Sequence, residues 1–172
     1  MPAPLVVAAA VSALALVLLA GCGGAPAPGA APALPPDLAA VLTGQVDCGG
    51  SGIMTVRQHD WDFTEDGVPD ALVAVRCNVG AGSPPSAVFA VAATASGPQV
   101  VDELLTPQAG EVVSDLSGTG PTAVVTTFAY SPDAARCCPD LQATHTYHWT
   151  GTAFDAGTRI ATPLPSTAPG DG

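Results

Sequence analysis

Residues 62–77 read DFTEDGVPDALVAVRC, an acid-rich stretch that passes without a break into an apolar run. Ala71 to Val75 is short, carries β-branched residues and follows a turn-forming Asp-Gly, which predicts a buried strand rather than a helix. Working outward, the same pattern recurs. SAVFAVAA (86–93), TAVVTTFAY (122–130) and THTYHWT (144–150) are short, rich in β-branched or aromatic residues, and separated by GSPP, SGTGP and SPDAARCCPD. QVVDELL (99–105) and EVVSDLS (111–117) are weaker strand candidates flanking TPQAG. Trp149, Thr150-Gly151 and Phe154 read as a closing hairpin with its aromatics packed across the turn. Towards the N-terminus, PPDLAAVLTG reads as one short helix, with Pro and Asp at its start, Leu38, Val41 and Leu42 on one face, and Gly44 after its end. Few segments suit crossover helices. The expectation is a mostly β fold, a single small antiparallel sheet or sandwich-like domain over residues 37–161 with one short N-terminal helix.

The acids before the strand invite a second question. Asp62, Thr64 and Asp66 offer side-chain oxygens on alternate residues, Gly67 permits a sharp turn, Val68 offers its carbonyl and Asp70 closes the ring. That set predicts a weak calcium loop. The spacing resembles the D-x-[DN]-x-D-G-x-x-D loops of FG-GAP and related β-propeller repeats, which also lead into an apolar strand. It is not an EF-hand, because the bidentate Glu of that loop is replaced by Val73 and no helix follows. Thr64 standing for the usual Asp or Asn removes one charged ligand. DLSGTGPTAVV (115–125) repeats the first acid, the hydroxyl residue two places on, the Gly and the apolar strand, yet has Thr119 and Ala123 where the first copy has Asp66 and Asp70. A turn that persists without its acids favours the competing reading, in which the carboxylates accept backbone N–H bonds as in Asx turns.

The chain's address is legible at its start. Leu5 to Ala20 has no charge and suits the apolar region of a signal peptide spanning residues 1–21. Leu19-Ala20-Gly21-Cys22 looks like a lipobox, which predicts a diacylglycerol on the Cys22 sulfur and a membrane anchor of two chains. Residues 22–36 then form a Pro/Ala/Gly tether, and residues 162–172 a disordered tail of similar composition. The expected location is the outer face of the cell membrane or the cell envelope.

With Cys22 acylated, Cys48, Cys77, Cys137 and Cys138 remain. An even number in an exported domain predicts two disulfides, with three connectivities open. Neighbouring Cα atoms are about 3.8 Å apart, short of the usual disulfide range. The expectation is therefore that Cys48 and Cys77 each bond to one of the adjacent pair, each bridge contributing roughly 2–4 kcal/mol. A zinc or redox site joining Cys137-Cys138 to His145 and His148 competes poorly. The C-x-x-C spacing is missing, and on a strand His145 points with Tyr147 and Trp149 while His148 points to the opposite face.

Fifteen acidic residues against four Arg and no Lys give a net charge of −11. Such a surface repels nucleic acid, and no basic patch offsets it. Catalytic motifs are absent. GGSGIM (49–54) lacks the G-x-S-x-G spacing and reads as a flexible turn, while Asp60 and Asp62 beside Trp61 suit solvated or capping roles better than a glycosidase pair. His59 is predicted to lie at the surface.

Taken in order, the lipobox, DFTEDGVPDALVAVRC, AGSPPSAVF, YSPDAARCCPD and YHWTGTAF resemble the LppP/LprE lipoproteins of mycobacteria and other actinobacteria over residues 37–156. The run from Tyr-Ser-Pro to Cys-Cys-Pro is the most specific element. The resemblance implies an exported lipoprotein and transfers no catalytic residue. The expected function is a non-catalytic binding or structural module of the cell envelope with a protein or other envelope partner. The alternatives are a carrier of an apolar ligand such as a glycolipid and, behind it, a cell-wall hydrolase.

Overall fold

The apolar run after Pro69 forms the second of eight strands among the described residues, which follow one another up and down in chain order. They are β1 (Ile53–Trp61), β2 (Asp70–Cys77), β3 (Ala87–Thr94), β4 (Gly97–Leu105), β5 (Val112–Thr119), β6 (Thr122–Ala129), β7 (Leu141–Trp149) and β8 (Phe154–Pro163). The structure, a computed structural model, describes residues 31–165 except Ala81 and Arg136. The signal peptide, Cys22, the tether as far as residue 30 and the tail from residue 166 lie outside the described residues. β1–β4 pair as one antiparallel sheet and β5–β8 as another, each in sequence order. The fold is therefore mostly β, as expected, with two small sheets. A single 3₁₀ turn, Pro107–Ala109, links them.

In the first sheet, β2 and β3 are apolar on both faces because both faces are covered. Leu72, Ala74, Val88, Ala90 and Ala92 point towards the second sheet and share one core with Phe63, Leu116, Val125 and Phe154. Ala71, Val73, Val75, Ala87, Phe89 and Val91 point the other way, where Leu38 and Leu42 lie fully buried against them. Each buried Val, Leu or Phe among them contributes about 1.5–3 kcal/mol.

The cover over that outer face is a run of turns where a helix was predicted. Asp37 Oδ1 accepts the Ala39 N–H, and Leu38 O accepts from both Val41 and Leu42, but the pattern stops at Gln45. One helical turn is enough to bring Leu38 and Leu42 to the same face. Cys48 is bonded to Cys77 at 2.03 Å, fastening the end of this cover to the end of β2. This corrects the expected connectivity. Cys48 and Cys77 meet because the cover returns along β2, which leaves Cys137 and Cys138 paired with each other, their Cα atoms 3.8 Å apart.

Among the described residues the second sheet is covered on one face only, and β6 alternates accordingly. Ala123, Val125, Thr127 and Ala129 are buried, while Thr122, Val124, Thr126 and Phe128 are half-exposed on the far side. β8 is exposed beyond Phe154 and runs to Pro163, two residues past the expected end of the domain. β1 lies over β5 and β4 over β8. The Trp61 indole rests on Gly118, where an added Cβ would sit 2.3 Å from the ring, and its Nε1–H donates to Gly120 O at 2.9 Å. At the opposite edge, Tyr147 O–H donates to Leu104 O at 2.6 Å and Asp102 Oδ2 accepts the Phe154 N–H at 2.8 Å.

The sequence echo marks equivalent places in the two sheets, since both copies cover the first hairpin of a four-stranded meander. Their conformations differ. Trp61 pairs with Asp70 across the eight-residue loop 62–69, whereas Thr119 pairs with Thr122 across Gly120-Pro121 alone.

Candidate functional site

The acid loop between β1 and β2 is held together by its own carboxylates. Asp70 is fully buried at the start of β2. Its Oδ2 accepts the N–H of Phe63 and Thr64 and the Thr64 hydroxyl at 3.0–3.1 Å, and its Oδ1 accepts the Ala93 N–H at 2.9 Å. Burial pushes Asp70 above the usual carboxylate range, against the amides of Ala93 and Thr64, which pull it down. Asp62 accepts the N–H of Asp66 and Gly67, and Asp66 Oδ1 accepts the Val68 N–H. Gly67 sits at φ +87°, a conformation that favours glycine. Of the predicted calcium ligands, Asp62, Thr64 and Asp70 come together, with Thr64 Oγ1 3.4 Å from Asp62 Oδ1. The carboxylate oxygens of Asp62 and Asp70 already accept N–H or O–H bonds, as the Asx-turn reading requires. Among the described residues, no three His, Cys, Asp or Glu side chains converge as a metal cage.

Asp60 and Asp62 have separate partners, Asp60 accepting from Gln58 Nε2 and Asp62 from the loop amides. Trp61 packs between Gly118 and Phe63, whose ring centroid is 5.3 Å away. His59 is half-buried rather than exposed, 5.6 Å from the Trp61 ring. His145 and His148 point to opposite faces of β7, as predicted. His145 stacks on Tyr147 in the interior, and His148 is exposed.

A second cluster escaped the sequence reading. Glu111, just before β5, is nearly buried beneath the second sheet. One carboxylate oxygen, Oε2, takes the Thr127 hydroxyl and His145 Nε2, the latter at 2.6 Å. The other, Oε1, takes the Arg159 guanidinium at 2.7 Å from Nη2 and 3.1 Å from Nε. Burial alone would raise its pKa. The hydrogen bonds from His145, Thr127 and Arg159 outweigh it and bring Glu111 down to about 2. An ionised carboxylate only accepts, so His145 Nε2 carries the proton. Burial pushes the neighbouring Tyr147 hydroxyl up to about 12, helped by the charge on Glu111. No spacing signals this site, because Glu111, Thr127, His145 and Arg159 lie on three strands and a connecting segment. The register of β6, β7 and β8 and the approach of the segment before β5 bring them together.

Glu111 and Arg159 form one wall of a cleft of about 440 Å³ at the end of the second sheet. Pro85, Tyr130, Ser131 and Pro132 line the rest. The Tyr130–Asp140 segment between β6 and β7 is clamped at its base. Asp140 accepts the Ser131 N–H at 2.7 Å and its hydroxyl at 2.6 Å, and these bonds hold its carboxyl below the usual range. Comparison of the chain with models of known protein families, with curated proteins and with solved structures finds no match.

Proposed function

We propose that the chain is an exported lipoprotein of the LppP/LprE type, anchored through diacylglyceryl-Cys22 to the outer face of the cell membrane, and that its β domain is a non-catalytic binding module for an envelope partner. The observation that carries this reading is the cleft beside Glu111 and Arg159. Its charged groups are neutralised by one another, which favours a rigid recognition wall over groups poised for proton transfer. The space between the sheets is filled by side chains such as Phe63, Leu72 and Val125, which supports recognition at the surface over enclosure of an apolar ligand. The net charge of −11 suits a partner with cationic or neutral polar groups and disfavours nucleic acid. The acid loop serves as scaffold in this account. Calcium there is the second reading, because Asp62, Thr64 and Asp70 do cluster.

The test is photo-cross-linking on intact cells. A photoreactive residue replacing Pro132 in the full-length chain is expected to capture one envelope species repeatedly, while the same residue at Asp66 captures none. Cys22→Ala is expected to abolish both acylation and membrane retention. A fully retained Cys22→Ala chain, or equal cross-linking from both positions, would overturn the reading.

A further inference from the structure

We propose that Cys137 and Cys138 form a solvent-facing thiol–disulfide couple, a modification site that exchanges with a dithiol or a pair of small thiols. Both residues are exposed, in the middle of the segment that joins β6 to β7. Four cysteines lie among the described residues, and the structure sorts them into two pairs of different character. Cys48 and Cys77 are separated by 29 positions, and both are half-buried where the N-terminal cover meets β2. That bond closes a long loop and constrains the unfolded chain. Cys137 and Cys138 have a separation of 1. A bond between neighbours closes no chain loop, so the entropic stabilisation that makes a disulfide a staple is missing.

The surroundings suit opening and closing. The segment is held at its base by the two Ser131–Asp140 hydrogen bonds, and Leu164 N–H donates to Asp140 O at 2.8 Å. Within it, Ala134 N–H donates to Ser131 O and Cys138 N–H to Ala135 O. None of these bonds uses a sulfur atom. Cleaving the sulfur–sulfur bond therefore leaves the ends of the segment fixed, and neither sulfur is sheltered from an attacking thiolate by core packing.

The chemistry is two-electron exchange. A thiolate of the reductant attacks one sulfur, forming a mixed disulfide and releasing the other cysteine as a thiolate, which takes a proton from water. The second thiol of the reductant, deprotonated, then attacks its partner sulfur in the mixed disulfide and frees the second cysteine. The protein gains two electrons and two protons, and the reductant leaves as its disulfide. An oxidised dithiol reverses both steps.

The experiment equilibrates the full-length chain with graded ratios of reduced to oxidised dithiothreitol, traps free thiols by alkylation and maps them by peptide mass. Peptide mapping separates the two pairs from Cys22. Cys137 and Cys138 should be labelled together at a thiol ratio at least about tenfold milder than Cys48 and Cys77 require, with the thermal midpoint unchanged at that ratio. The double variant Cys137→Ser/Cys138→Ser should lose only the milder labelling step and keep its midpoint. Labelling of both thiols even under full oxidation, opening of both pairs at one ratio, or a variant that melts several degrees lower would each overturn the proposal.

Discussion

The central strands of the first sheet are enclosed on both faces, whereas among the described residues the second sheet has one face and its β8 edge uncovered. The contrast explains what each does. β2 and β3 are uninterrupted apolar strands because Leu38 and Leu42 close the face that the second sheet does not reach. Asp70, at the start of β2, faces inward and is engaged by the N–H groups of Phe63, Thr64 and Ala93. The second sheet keeps polar residues on one face and gathers Glu111, His145 and Arg159 at one end of the other, beside open space. A covered sheet makes a scaffold. A half-covered sheet can meet a partner.

Uncovering the first sheet should have the largest effect. Leu42→Ala removes a fully buried side chain from the outer core and is expected to cost about 3 kcal/mol by chemical denaturation, with the shared inner core left intact. An effect below about 0.5 kcal/mol would mean that the cover is dispensable and that the two sheets are alike in what they need.

Asp70→Ala should rank close behind, at roughly 2–3 kcal/mol. It strands the buried N–H groups of Phe63 and Ala93, whereas Asp66→Ala frees only the exposed Val68 N–H and should cost well under about 1 kcal/mol. In the same melts, added calcium is expected to leave wild type and Asp66→Ala equally unshifted. A saturable shift confined to wild type would make the loop a metal site.

The second sheet has its own signature in acid. Glu111 has a folded pKa of about 2 against its ordinary 4.5, so its stabilisation is fully present above about pH 5 and is lost as the pH falls towards 2. Glu111→Gln should flatten that acid limb. An unchanged limb would mean that Arg159 and His145 do not hold the carboxylate in solution. At the small end, Ile160→Ala on β8 should change stability by less than about 0.5 kcal/mol, because the side chain is 60% exposed.

These differences also decide what was legible beforehand. β2, β3, β6 and β7 are the central strands of their sheets, and burial on at least one face stamps β-branched or alternating patterns on them. All four edge strands read weakly or not at all. β4 and β5 were weaker candidates. β1 was hidden behind the polar run Arg57–Asp60 and a bulge at Val56 that breaks the two-residue period. β8, with Asp155, Gly157 and Arg159, carries almost no apolar signal because only Phe154 is buried. The acid loop was readable because the carboxylates and the amides they accept from are neighbours in sequence. The Glu111 cluster was not, since Glu111 and Arg159 lie 48 positions apart and only the tertiary fold brings them together.

The most direct test of the division between scaffold and contact surface is footprinting of the full-length chain on intact cells against the same chain purified. The account predicts protection on cells at Tyr130, Pro132 and Arg159 around the cleft, with the loop from Asp62 to Asp70 reacting equally in both states. Protection of the acid loop with the cleft unchanged would contradict it, and would move the working surface to the sheet described here as scaffold.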